Sequence, residues 1–428
     1  MTKTLVFLLA LVCPGVIFAQ TIDAVINSKE VERVETILSA DDMQGRAVNT
    51  PGIEKAASFI SNEFRLAGLQ TLNNQGSYRQ EFKMVNTKLL SAAGSVDGLA
   101  LSEKQIVVFS SQPELAIHTA SGYEKKYIKA GDNFVAAIFK YIDSKSNLLV
   151  LVDTSFSRRF LRLREFSEQQ FRSDRNVVFV LSAADPRKYE INVKQEVKEI
   201  TLTNLVGVLP GKSRPNEYVI FSAHYDHLGI GTPDANKDSI FNGANDDASG
   251  TTAVIMLAKY FSTLKNNERT LIFATFTAEE IGEYGSAYFS RQFDPARVMA
   301  MFNIEMIGTE SKWGTNSAYI TGFDKTNMGN ILQQNLAGSP FRFYPDPYPQ
   351  QQLFYRSDNA TLARQGVPAH TISTSKMDAE KYYHTAGDEI GTLDMKNMTE
   401  IIKAVALSSG SIVSGKETPT RVDASTLR

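Results

Sequence analysis

The chain has 428 residues, 43% of them hydrophobic, with 45 basic and 47 acidic side chains and a net charge of −2. That length exceeds one compact core and predicts two domains, and the balance of charge points to neither nucleic acid nor a membrane surface as a partner. The single cysteine, Cys13, lies in a leader expected to be removed, which excludes disulfide stapling and cysteine-dependent catalysis in what remains.

In chain order, Lys3, the apolar run Leu5 to Val12, the Pro14-Gly15 break and Ala19 predict a signal peptide over residues 1–19, and with it a secreted or periplasmic location. The apolar run is shorter than the roughly 20 residues of a spanning helix, so no membrane anchor is expected. Apolar spacing over 29–69 predicts two helices, broken at Asn49-Thr50-Pro51-Gly52 and ended by Gly68. From 87 to 197, short runs such as Gln105 to Phe109, Leu148 to Val152 and Val177 to Leu181 predict a β-rich insert. The arginines of that stretch, Arg158, Arg159, Arg162, Arg164, Arg172 and Arg175, could form an anion or partner site, but read better as a solvated face with Glu165, Glu168 and Asp174 interleaved. Beyond 198, strands at 217–223, 270–276, 299–304 and 317–321 alternate with helices, one of them at 249–263. This is the pattern of an α/β domain with a mostly parallel central sheet flanked by helices. Residues 20–86 and 198–413 are thus expected to form one discontinuous domain. Residues 414–428, with little to bury, are expected as a loose tail.

Only five histidines occur, at 118, 224, 227, 370 and 384, so any metal site must be built largely from carboxylates. His224 follows the apolar strand Tyr218 to Ala223, and the carboxyl ends of strands are where open α/β sheets bind ligands. Asp226 is placed to accept from the second ring nitrogen of His224 and fix its tautomer. The loop Asn242 to Gly250 enters the next helix; helix capping explains one or two of its polar residues. Glu279 and Glu280 close the strand 270–276. Neighbours on a strand face opposite sides, so both serve one site only if the chain turns there, one as a metal ligand and the other as a proton acceptor. Glu305 lies in the apolar run Phe302 to Gly308, where an unpaired carboxylate is costly to bury. Tyr383-His384 comes last, near the loop Ser357-Asp358-Asn359. His118 and His370 are read as structural; His227, beside the His224-x-Asp226 motif, could face the substrate but reads better as an ordinary loop histidine.

The order His224-x-Asp226, Asn245-Asp246 before Ala248-Ser249-Gly250, Glu279-Glu280, Asn303-x-Glu305 and Tyr383-His384 resembles the M28 family of zinc aminopeptidases, over nearly all of residues 199–390. Leu38 to Arg46, with Thr50-Pro51-Gly52, resembles the start of bacterial members. The resemblance implies a zinc-exopeptidase fold and two Zn²⁺, with Co²⁺ or Mn²⁺ as possible substitutes. His224 and Glu305 would hold one ion, Glu280 and His384 the other, and Asp246 would bridge them. Three ligand carboxylates and a hydroxide balance two divalent ions; without metal, those carboxylates are expected to raise one another's pKa. The resemblance also implies Glu279 as general base and peptides as substrates, cleaved at their N-terminal residue. Tyr383 is either a hydrogen-bond donor to the oxyanion or a packing tyrosine. Two positions depart from the pattern: Glu305 stands where most members have Asp, and Asn359 where His is common. The insert sits where members often carry a protease-associated-like domain. A dinuclear carboxypeptidase or N-acyl amino-acid amidase stays open. A glutaminyl cyclase or a non-catalytic receptor-like domain fits the complete ligand set less well.

Overall fold

A computed structural model describes residues 22–182 and 185–427; the export segment expected at 1–19 lies outside the described residues. The chain divides into two compact units, residues 22–81 with 203–427, and residues 82–202.

In the larger unit the chain opens with α1 (Ser28–Leu38) and α2 (Pro51–Leu66). The side chain of Asn27 caps α1 by accepting the Glu30 N–H at 3.1 Å, and Val31, Val34 and Leu38 form its buried stripe. Thr50 caps α2, and Pro51 occupies its first turn, where the missing N–H has no helical partner to lose. Gly68, at φ 76°, ends it in the left-handed conformation. The sheet is built from the end, from Thr203 on, of β1 (Tyr189–Leu209), with β2 (Arg214–His224), β3 (Arg269–Phe276), β4 (Val298–Ile304), β5 (Ser317–Ile320), β6 (Arg342–Pro345) and β7 (Ala369–Ser373), in the order β6-β5-β7-β4-β2-β3-β1. The central strands β3, β2, β4 and β7 run parallel, while β5 joins β7, and β1 joins β3, antiparallel.

Both faces of this sheet are covered, which is why its strands read as continuous apolar runs. Val219, Phe221, Phe273 and Phe302 face one core with α1, α2, α3 (Ser249–Leu264) and α4 (Met395–Ser408). Ile220, Ile272 and Met301 face the other, with Phe289 and Leu362. Each such side chain, fully buried, contributes about 1.5–3 kcal/mol. The parallel register pairs His224 with Phe276 and Ser222 with Asn303, so the carboxyl ends of β2, β3 and β4 lie side by side.

Part of residues 414–427, expected as a loose tail, is packed, while Asp423 to Thr426 are exposed. Val422 is buried, and the fully buried guanidinium of Arg269 donates to Ile412 O at 2.8 Å, Glu417 O at 2.7 Å and Thr418 Oγ1 at 2.5 Å. A buried guanidinium needs acceptors all round; beside the Glu217 carboxylate at 2.6 Å, the tail supplies the Glu417 carbonyl and the Thr418 hydroxyl, which its composition does not reveal.

The smaller unit is not β alone. Ile106–Phe109, Val177–Leu181, Leu148–Val152 and Glu124–Ile128 form a sheet in that order, the last three strands parallel. Helix Phe134–Ile142, capped by Asn133, covers one face through Phe134 and Ile138. The arginines of this stretch lie on a solvated surface: Arg158, Arg159, Arg162, Arg172 and Arg175 are exposed, as are Glu165, Glu168 and Asp174, and Arg164 pairs with Glu103 and Arg172 with Glu199. Among the described residues no helix is long and apolar enough to cross a membrane.

Candidate metal centre

His224 is the last residue of β2, and its side chain is 1% exposed. Its Nδ1 donates to the backbone carbonyl of Asp226 at 3.1 Å. The carboxylate of Asp226, expected to take that bond, is 3.8 Å away. It accepts instead the backbone N–H groups of Glu279 at 3.2 Å and Glu280 at 3.4 Å. The chain turns immediately after the strand, so the main chain of Asp226 fixes the tautomer of His224 while its side chain anchors the neighbouring glutamates. Burial raises the Asp226 carboxyl to about 6.

Glu279 and Glu280 do reach one site, because the chain turns after β3. Ala278 adopts φ 60°, and Gly282 and Glu283 donate back to Glu279 O at 2.9 and 3.0 Å. The loop before α3 brings up Asp246. Asp388 holds that loop, accepting the Asn245 and Asp246 amides at 2.8 and 2.9 Å. Asp247 ties it to the strands, accepting from His224 N, Gly250 N and Met306 N at 3.0 to 3.3 Å. Gly250 lies so close to β4 that an added Cβ would stand 2.1 Å from Ile304 O. Arg46, itself buried, donates to Tyr225 O, Leu38 O, Asn242 O and Gly243 O at 2.5 to 2.9 Å, and so staples the loops of His224 and Asp246 together.

Ligand-type atoms of His224, Asp246 and Glu280 fall within 4.8 Å of one another. His224 Nε2 faces Asp246 Oδ1 at 3.2 Å, yet it is buried with no hydrogen-bond partner. His384, at φ 57°, places Nε2 3.3 Å from Asp246 Oδ2 and 3.1 Å from Glu280 Oε2. Glu305 Oε2 is likewise buried and without a partner. Orphaned imidazole and carboxylate atoms converging in this way fit a divalent cation. Glu279 Oε2 stands 4.0 Å from His224 Nε2. Tyr383 stacks on His384, ring centroids 3.9 Å apart, and lines a cavity with Glu305, Met306 and Arg356.

The carboxylates of Asp246, Glu280 and Glu305 are not all shifted upward as expected. Burial raises Glu305 to about 7. Burial acts the same way on Asp246 and Glu280, but the facing imidazoles of His224, His384 and His227 outweigh it and hold both low. Burial would lower His224, but the carboxylates of Glu279, Asp246 and Asp247 raise it well above its ordinary value. Asp246 and Glu280 lift His384 to about 10, and burial lifts Glu279 well above the usual carboxylate range.

Sequence reasoning gave Arg46 and Asp388 no role at the site and read His227 as a loop histidine. His227 is buried, with Nδ1 2.7 Å from Glu280 Oε1; its place immediately after Asp226 was the available signal. Asn359 makes only structural bonds, to Phe354 O, Ala369 O and Thr371 Oγ1. His370 is held between Thr321 O and Thr326 Oγ1, and His118 is exposed.

Imidazole and carboxylate donors converging beside a further glutamate, at the carboxyl edge of an α/β sheet, are the equipment of a metal-dependent hydrolase. The chain is a metallopeptidase. Residues 204–408 match the sequence model described as "Peptidase family M28", and the chain belongs to that family. It is similar to a "Probable leucine aminopeptidase" of Arthroderma otae, 27% identical over 281 residues, covering 61% of this chain and 71% of the relative. It is also similar to a "Probable zinc metalloprotease" of Pyrenophora teres f. teres, 25% identical over 268 residues, covering 56% of this chain and 54% of that protein, about half its length. Among solved structures, an aminopeptidase from Aneurinibacillus sp. strain AM-1 superposes with a TM-score of 0.55 at 17% identity, covering 92% of this chain and 95% of its own. A zinc aminopeptidase from Bacillus subtilis does so at 0.55 and 16% identity, covering 92% and 97%. At such identities the likeness speaks for the fold.

Proposed function

We propose that this chain is an exported zinc aminopeptidase that removes N-terminal residues from peptides at a dinuclear centre. Asp246 carries this reading: Oδ1 faces His224 at 3.2 Å and Oδ2 faces His384 at 3.3 Å, the orientation of a carboxylate that gives one oxygen to each of two ions. His224 and Glu305 would complete one site, Glu280 and His384 the other. Bound there, the ions supply Lewis acidity, drawing the pKa of a coordinated water toward about 7 and polarising the scissile carbonyl.

Glu279 accepts a proton from the attacking water and returns it to the leaving amine. Its aim is set by the Asp226 bond to its backbone N–H. The Tyr383 hydroxyl donates to the carbonyl oxygen as that atom gains charge. The choice of zinc and of the peptide N-terminus is supported by the names of the relatives. Export is supported by the apolar run, helix break and small residue within positions 1–19.

The test uses the protein beginning near Gln20. Elemental analysis is expected to find two zinc ions per chain, with activity on aminoacyl reporter peptides abolished by a chelator and restored by zinc. Full activity with one ion or fewer, or release from carboxy-terminal reporters alone, would overturn the reading.

A further inference from the structure

His227 is not among the ligands named above, yet its side chain is 0% exposed. Its Nδ1 lies 2.7 Å from Glu280 Oε1. An ionised carboxylate only accepts, so Nδ1 donates its proton to Oε1, while Nε2 is buried with no hydrogen-bond partner. The ring cannot slide. Gly243 packs so tightly on it that an added Cβ would meet the ring carbons at 2.5 Å, and Arg46 holds the Gly243 carbonyl at 2.9 Å. The His384 ring stands edge-on at 5.8 Å, and the His227 backbone N–H donates to Arg46 O at 3.3 Å.

The two oxygens of Glu280 are therefore not equivalent. Oε1 is engaged by His227, whereas Oε2 faces His384 Nε2 at 3.1 Å. We propose that His227 is a positioning residue that occupies Oε1 and makes Glu280 a one-oxygen donor, through Oε2, to the ion shared with His384 and Asp246. This rests on the reading of Glu280 as a metal ligand. An N–H donated to a ligating carboxylate fixes its rotamer before the ion arrives, and partners of this kind are worth about 10- to 100-fold in metal affinity. A rival role is packing alone, the ring filling space under Glu280.

Two substitutions separate these roles. His227→Asn keeps an N–H near the position of Nδ1, and His227→Leu keeps bulk without a donor. Metal-free protein is titrated with zinc against a chromophoric chelator, and the absorption spectrum of the cobalt-loaded protein is recorded. Wild type is expected to take two ions. His227→Leu should hold the weaker ion about 10- to 100-fold less tightly with a shifted cobalt spectrum, and His227→Asn should follow wild type in both. Wild-type affinity and spectrum in His227→Leu would overturn the proposal while leaving the metal centre intact, as would equal losses in both variants. A wild type that binds no zinc would instead overturn the reading of the site itself. Should His227→Leu not fold, His227→Phe, which keeps a ring and drops both nitrogens, takes its place with the same expectations.

Discussion

The carboxylate of Asp388 accepts the backbone N–H of Asp246 at 2.9 Å through Oδ2, while Oδ1 takes the adjoining amide of Asn245 at 2.8 Å. The segment that carries His384 thereby also holds the loop that carries the carboxylate facing both histidines. Asp388→Ala would leave two buried amides without acceptors, at about 1–3 kcal/mol each. Thermal unfolding of the metal-free protein should show that loss, and Asp388→Asn, which keeps one acceptor, a smaller one. An unchanged melting temperature in the alanine variant would mean that the loop holds its shape without the clamp.

Arg46 makes a second prediction. Its guanidinium reaches four carbonyls on three stretches of chain, from Leu38 to Gly243. Lysine offers three hydrogens from a single point and cannot span that fork. Hydrogen bonds to a charged group are worth about 1.5–3 kcal/mol each, so Arg46→Lys and Arg46→Met should both lose several kcal/mol in urea unfolding, methionine more. Zinc affinity should fall with them, because the carbonyls released flank His224 and Asp246.

Glu35 makes stability depend on pH. It lies buried on α1, with Thr252 donating to Oε2 at 2.8 Å and Oε1 left without a partner. Burial raises its pKa from 4.5 to about 8. The folded protein therefore binds more protons than the unfolded chain between those values, and this contribution to stability is lost as pH rises from about 4.5 to about 8. Glu35→Gln removes the charge. The variant should match wild type near pH 4.5 and exceed it by a few kcal/mol at pH 9, at about 1.4 kcal/mol per pKa unit. Parallel stability curves for the two proteins would show that Glu35 does not titrate in this way.

What the sequence could disclose follows from where each signal resides. His224, Glu279 and Glu280 were legible because an apolar strand followed by a polar residue marks a carboxyl edge, and the α/β alternation says where such edges gather. The part of Arg46 was not, because its acceptors are backbone carbonyls, which carry no side-chain signature. The same holds for the tail, fastened through its main chain to Arg269. His227 meets a partner 53 residues away, and its place beside Asp226 is a local signal too weak to assign that partner. Asp226 was placed in the right neighbourhood but aimed wrongly, since a turn one residue long decides whether its carbonyl or its carboxylate meets His224.

Glu279 and Glu280 are adjacent in sequence, both anchored through their amides to Asp226, and the structure separates their surroundings. Glu280 lies within 3.1 Å of His384 and 2.7 Å of His227; the nearest imidazole to Glu279 is that of His224, at 4.0 Å. Glu280 is thus engaged by the histidines, while Glu279 stands at their edge, the place that the proposed role of proton acceptor from the attacking water requires. Glu279→Gln keeps the size and hydrogen-bonding capacity of the side chain and removes only its basicity. General base catalysis is typically worth about 10²- to 10⁴-fold, so kcat should fall by that order while zinc content and melting temperature stay at wild-type values. Glu280→Gln should do the reverse and lose metal first, because its amide gives up the negative charge that the ion and both imidazoles require. Loss of zinc from Glu279→Gln, or near-normal turnover by it, would mean that the two glutamates have been assigned the wrong way round.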